Sequence, residues 1–179
     1  MKLPRSLMTR ARRIRLLAMD VDGVLTDGCV VVLESGEEIK SWNVKDRLGL
    51  ALMREKKIPL LFAWITGRES NAVNRAAKDL GIHHVAQRCD DKKEALRKIL
   101  SGHQLTGTQA AFIGDDLIDL PVLRVVGLAC SPANAVLEVK KRVHYVSPLK
   151  GGEGVARDVL ELILTAQGLW APLVRSSLS

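Results

Sequence analysis

Asp20 and Asp22 stand two residues apart in Asp20-Val21-Asp22-Gly23-Val24-Leu25-Thr26-Asp27-Gly28, directly after the apolar run Leu16-Leu17-Ala18-Met19. A buried carboxylate costs several kcal/mol unless a cation or hydrogen bonds compensate it, so a pair where a buried strand meets a glycine-containing turn points to a metal or to reactivity. Three more polar clusters follow: Thr66-Gly67-Arg68, Lys92 and Gly114-Asp115-Asp116. Together they suit phosphoryl transfer, in which a protein mostly positions the transferred group and neutralises its charge. In that reading Asp20 is the nucleophile that forms an aspartyl-phosphate, while Asp22 protonates the leaving alcohol and then activates water. Mg²⁺ is the expected cofactor, with Asp20, the backbone carbonyl of Asp22, and Asp115 as its protein ligands. Thr66 donates to a phosphoryl oxygen, and Lys92 supplies fixed positive charge. Gly23 and Gly67 let the backbone approach the phosphate closely.

Each piece also has a plain structural reading. Asp-x-Asp-Gly is a common turn sequence, Thr66 is a good helix N-cap, and Asp115 and Asp116 can cap the helix that follows them. Lys92 lies in the charged run Asp90-Asp91-Lys92-Lys93-Glu94, of the kind found on solvated helix faces. Order and placement separate the two readings, because all four clusters fall at or just after predicted strand ends. In open α/β sheets that edge is where ligands bind.

The elements that must position these residues can be read from hydrophobic pattern. Apolar runs predict strands over 14–19, 58–65, 83–86, 109–113, 128–130 and 144–146. Helical spacing predicts helices over 44–57, 69–80, 91–100, from 116 to about 125, over 133–140 and over 154–167, with Gly81 and Gly102 as stops. Residues 29–33 and 38–42, either side of a turn with Gly36, read as a β-hairpin flap over the first loop. Strands alternating with helices make this an α/β chain: a Rossmann-like doubly wound parallel sheet with helices on both faces.

The 179 residues suit one domain, expected over 14–170, with a basic leader over 1–13 and a C-terminal tail over 171–179. Residues 175–179 are expected to be disordered. Net charge is +7, and Lys2, Arg5, Arg10, Arg12, Arg13 and Arg15 carry much of the excess. That run reads as a solvated leader rather than a nucleic-acid arm, and no aromatic stacking set of a nucleic-acid module is present. No apolar stretch is long enough for a membrane helix, so neither a membrane nor a nucleic-acid partner is expected. Cys29, Cys89 and Cys130 lie far apart without CxxC spacing, which fits a reducing cytoplasm.

The motifs resemble those of the haloacid dehalogenase superfamily of phosphohydrolases. Asp20-Val21-Asp22-Gly23-Val24, Thr66, Lys92 and Gly114-Asp115-Asp116-Leu117-Ile118-Asp119 match its pattern in order. Within it the chain is most similar to the phosphatases of 3-deoxy-D-manno-octulosonate 8-phosphate (KDO 8-phosphate). That similarity rests also on Trp42-Asn43-Val44-Lys45-Asp46, Ile65-Thr66-Gly67-Arg68 and Gly151-Gly152-Glu153-Gly154-Val155-Ala156-Arg157. The resemblance implies a capless subclass, a phosphoric monoester hydrolase acting on a small acidic sugar phosphate in lipopolysaccharide biosynthesis, and a homotetramer whose hairpins and glycine-rich C-terminal segments close neighbouring sites. A related nine-carbon acidic sugar phosphate, or a broad range of small phosphates, is the alternative substrate. Asn43, Lys45, Asp46, Arg47, Arg68 and Arg75 are the implied substrate-binding residues, and Asp119 is placed behind the metal site or Lys92. The chain departs from the family at Arg47 and Arg88, where glycine is usual, and at Arg75, one position before a common arginine. Lys93 is the second choice for the catalytic lysine, and Asp116 is either ligand or cap.

Overall fold

In the computed structural model, residues 3–176 are described. The central sheet contains β1 (Leu16–Met19), β4 (Leu61–Ile65), β5 (His84–Ala86), β6 (Ala110–Ile113), β7 (Leu128–Ser131) and β8 (Tyr145–Val146). Its order is β5-β4-β1-β6-β7-β8, and every pair is parallel. β1 is central: the chain builds outward on one side through β4 and β5, then returns past β1 to build β6, β7 and β8. The reversal between β1 and β6 opens the crevice in which such sheets bind ligands.

Strand alternation sorts side chains to two faces. Leu17, Met19, Phe62, Trp64, Ala111 and Ile113 belong to one core, and Leu16, Ala18, Ala63, Ile65, Ala110 and Phe112 to the other. The first core is covered by α1 (Arg5–Arg12), α2 (Val44–Glu55), α3 (Asn71–Leu80), α7 (Val155–Ala166) and α8 (Trp170–Ser176). The second is covered by α4 (Lys92–Gly102), α5 (Leu120–Leu123) and α6 (Leu137–Lys140). Among the described residues no helix is long and apolar enough to cross a membrane.

The expected domain limits move outward at both ends. Residues 5–12 are not a solvated leader: Leu7 and Ala11 of α1 are buried in the first core, and Arg12 Nε donates to the Ala166 carbonyl at the end of α7 at 3.0 Å. The arginines occupy the outer positions of an amphipathic helix, which a charge count alone cannot distinguish from a free arm. At the other end α8 buries Leu173 and carries Arg175 and Ser176, both expected to be disordered; residues 177–179 of that expectation lie outside the described residues.

Two predicted helices are shorter. Asp116 caps a 3₁₀ turn, Leu117–Asp119, and α5 ends at Leu123 rather than near 125. Residues 133–136 are not helical, because their polar groups reach outward: the Val136 amide donates to Asp115 O at 3.0 Å, and Asn134 Oδ1 accepts from Gly151 N at 2.9 Å. The hairpin also shrinks, to β2 (Val31–Val32) and β3 (Glu38–Ile39). Its valines and Ile39 are exposed, and an isolated two-stranded ribbon has little to lengthen it.

Candidate active site

The end of β1 places Asp20 in the crevice, with only 5% of its surface exposed. Its Oδ1 accepts from the Val21 amide at 2.6 Å, and Lys92 Nζ, from the first turn of α4, donates to Oδ2 at 2.6 Å. The same ammonium donates to Asp119 Oδ1 at 2.7 Å, so Lys92 is pinned between two carboxylates and is almost wholly buried. The other oxygen of Asp119 accepts the Asp115 amide at 2.9 Å and the Asp116 amide at 3.3 Å, which shapes the loop after β6. Asp119 thus acts on its neighbours with both oxygens.

Oxygens of Asp20, Asp115 and Asp119 lie within 4.8 Å of one another. Three carboxylates face one ammonium there, and the carboxylates respond. Burial pushes Asp20 up to about 6 against the opposing pull of Lys92. Burial, together with the charges of Asp119 and Asp20, pushes Asp115 up to about 7. Burial alone would lower Lys92, but the two carboxylates more than offset it and hold the amine above its ordinary value. Excess negative charge on hard oxygen donors is the environment that a divalent cation such as Mg²⁺ neutralises. The residues present fit that ion.

Gly23, the turn residue after Asp22, has φ +83°, and a Cβ there would lie 2.1 Å from Asp115 Oδ2. Glycine therefore lets the β1 loop and the β6 loop touch. The glycine-rich segment 151–154 is pressed on the same loop: a Cβ on Gly151 would lie 1.9 Å from Gly23 O, and the Gly152 amide donates to Val24 O at 3.0 Å.

Thr66, at the end of β4, is buried, and its Oγ1 accepts weakly from the Arg68 amide at 3.4 Å. A cavity of about 280 Å³ opens between Asp20, Asp22, Thr66, Gly67, Arg68 and Asp115, with Gly28, Val30, Asp116 and Ile118 at its rim. Lys92 lies behind Asp20 rather than on the cavity wall.

The hairpin supplies two residues that sequence reasoning missed. Lys40, with a side chain only 2% exposed, pairs with Asp22, and Glu38 pairs with Arg68. Strand alternation was the available signal, since residues 38 and 40 of a hairpin share one face.

The residues expected to bind substrate do not all gather here. Arg68 reaches the cavity. Asn43 is used as an N-cap, accepting the Lys45 amide at 2.9 Å, and as a tie donating to Gly152 O at 2.8 Å. Lys45 is exposed on α2, beside Gly154. Asp46 is turned inward, where Oδ1 accepts the Arg157 amide at 2.7 Å, so it caps α7 and does not line the cavity. Arg47 and Arg75 line a separate groove of about 270 Å³ with Glu37, Trp42, Asn71 and Asp79. Arg88 has φ +51° and pairs with Glu69; the usual family glycine matches that left-handed backbone, and the arginine is not among the residues lining the cavity.

Residues 50–159 match the haloacid dehalogenase-like hydrolase family. The 3-deoxy-D-manno-octulosonate 8-phosphate phosphatase KdsC of Yersinia pestis is 43% identical over 158 residues, which are 88% of this chain and 83% of that protein. The chain belongs to the haloacid dehalogenase-like hydrolases. Solved members of this hydrolase family share its fold closely. The KDO 8-phosphate phosphatase of Moraxella catarrhalis, in complex with magnesium, phosphate and KDO, is 37% identical, with a TM-score of 0.93 over 97% of this chain and 99% of that one. The cobalt-bound form of the Haemophilus influenzae enzyme is 33% identical, with a TM-score of 0.88 over 95% of this chain and 99% of that one. As a haloacid dehalogenase-like hydrolase without a cap domain, the chain has only the β2–β3 hairpin between the Asp20–Asp22 motif and α2, the helix that leads into β4 and the second motif.

Proposed function

We infer that this chain is a Mg²⁺-dependent phosphatase of a small acidic sugar phosphate, and that it hydrolyses KDO 8-phosphate to KDO and phosphate. The observation that carries the reading is the buried Asp20–Lys92–Asp119 network, which brings Asp115 within metal-sharing distance of Asp20 beneath a polar cavity. The named activity of the Yersinia relative and the ligands of the Moraxella structure support the substrate.

Asp20, Asp115 and the backbone carbonyl of Asp22 hold Mg²⁺, which, when bound, neutralises phosphoryl charge so that a carboxylate can attack it. A carboxylate oxygen of Asp20 attacks phosphorus, and the bond from phosphorus to the sugar oxygen breaks. Asp22 gives its proton to that oxygen, becomes ionised, and then takes a proton from the water that cleaves the aspartyl-phosphate. Thr66 and Lys92 meet the transferred group's charge, Lys92 by fixing Asp20 and Thr66 by donating its hydroxyl proton. Asp22 must release Lys40 for this, so the substrate displaces or re-aims the hairpin's ion pair. Arg68 is the cavity's candidate for the substrate carboxylate, because a guanidinium binds carboxylates in a two-pronged way. The chain assembles as a homotetramer, a reading supported by the exposed Val31, Val32, Leu33 and Ile39 beside the site.

The test is phosphate release from a panel containing KDO 8-phosphate, a nine-carbon acidic sugar phosphate and sugar phosphates without a carboxylate. KDO 8-phosphate is expected to give the highest kcat/KM, with turnover abolished by a chelator and restored by Mg²⁺. A preference of more than about tenfold for another substrate overturns the assignment, and chelator-resistant turnover overturns the metal.

A further inference from the structure

Three histidines gather far from the catalytic crevice, at the open side of the sheet. His83 immediately precedes β5, the edge strand, His84 begins it, and His103 is the C-cap of α4. His84 Nε2 and His103 Nε2 are 2.7 Å apart, with the rings edge to face and their centroids 4.9 Å apart. His83 is already committed: its Nδ1 accepts the Phe62 amide at 3.1 Å and its ring stacks on Phe62. Among the described residues, neither Nδ1 of His84 nor of His103 makes a hydrogen bond, so each ring can carry its proton on Nδ1 and keep the Nε2 lone pair free. Burial and the neighbouring imidazoles hold His84 below its ordinary value, which favours the neutral, ligating form near pH 7.

In the absence of an ion, one Nε2–H bridges to the other ring's lone pair. A metal can replace that proton, because the two Nε2 atoms already face each other across 2.7 Å. Imidazole nitrogens ligate first-row metals at about 2.0–2.1 Å, so a pair at right angles spans about 2.9 Å and a tetrahedral pair about 3.4 Å. The observed 2.7 Å is close to the right-angled pair. Cu²⁺ and Ni²⁺ take imidazole in such tetragonal or octahedral arrangements, and Cu²⁺ is the tightest binder of the divalent series. Nearby carboxylates are engaged elsewhere: Glu94 holds Arg97 with both oxygens, and Asp91 caps α4. Water fills the remaining positions, making the ion exchangeable.

We propose that His84 and His103 form a second metal site on the sheet edge, selective for Cu²⁺ or Ni²⁺ and separate from the Asp20–Asp115 cluster. A bound ion joins the edge strand to the far end of α4, the helix whose first residue is Lys92. It braces the element that fixes the catalytic ammonium.

The experiment is a Cu²⁺ titration of chelator-stripped, full-length protein in excess Mg²⁺, followed by electron paramagnetic resonance and calorimetry, on wild type, His84→Gln, His103→Gln and Asp115→Asn. Wild type and Asp115→Asn are expected to show nitrogen couplings from bound imidazole. Each histidine variant is expected to lose that signal and one equivalent of Cu²⁺ per chain while keeping its Mg²⁺-dependent turnover. Equal Cu²⁺ uptake in wild type and His103→Gln overturns the proposal, as does a nitrogen signal that survives in either histidine variant, disappears in Asp115→Asn, or is absent from wild type.

Discussion

Lys92 is held by geometry that makes its charge hard to replace. With the ammonium gone, Asp20 and Asp119 remain buried without a counter-ion, a change of about 3–5 kcal/mol for a broken buried pair. Lys92→Met is expected to lower stability by that order and kcat by at least about 10²-fold, with added Mg²⁺ recovering stability more than turnover. Asp20→Asn removes a buried charge instead of its partner, so turnover is lost while stability holds or rises. Urea unfolding and phosphate release on the two variants check this, and equal destabilisation by both would contradict it. The meeting of Asp20, Asp22, Thr66 and Asp115 at one cavity was legible because a strand end fixes where the next side chain goes. The different surroundings of Lys45, Asp46 and Arg47 were not, since consecutive residues on a helix point about 100° apart and diverge. One of the three faces solvent, one faces α7, and one lines another groove.

At the scale of elements, α7 begins at Gly154 with no side chain of its own to cap it, and Asp46 of α2 fills that role across the interface. Its position has a pH consequence. Burial pushes Asp46 up to about 6, against the pull of the Arg157 and Ala156 amides. The folded chain therefore binds a proton that the unfolded chain releases near 3.8, and this contribution is complete at low pH and lost as pH rises through about 6. That difference corresponds to about 3 kcal/mol. Asp46→Asn keeps an acceptor for the amides and does not titrate. Its urea stability is expected to fall less than wild type's between pH 4 and pH 6.5, on a shared background from Asp20 and Asp115; parallel profiles would refute the assignment. Elements with a strong period, such as β1, β4, β6 and α7, match their sequence expectation within a few residues. Residues 114–125 and 132–140 do not, because Asp116, Asn134 and the Val136 amide bond outside any helix, an interaction no local pattern reveals.

For the whole molecule, the sheet and its helical layers were readable from alternation, but the surface was not. A count of positive charge takes no account of which face of α1 is buried, and an apolar hairpin gives no sign of what covers it. Val31, Val32, Leu33 and Ile39 are exposed on a ribbon that makes no core, yet the same ribbon sends Lys40 to Asp22 and Glu38 to Arg68. Covering those apolar residues with neighbouring subunits would hold the ribbon over the cavity. Sedimentation is therefore expected to give about four times the 19.6 kDa chain mass, and Val31→Asp with Val32→Asp is expected to dissociate the assembly. The dissociated variant should keep its unfolding transition, since neither valine belongs to the core, while KM rises more than kcat falls as the ribbon loses its support. A wild-type chain that sediments as a monomer, or a doubly substituted one that stays tetrameric with unchanged KM, would mean that the hairpin closes over its own site unaided.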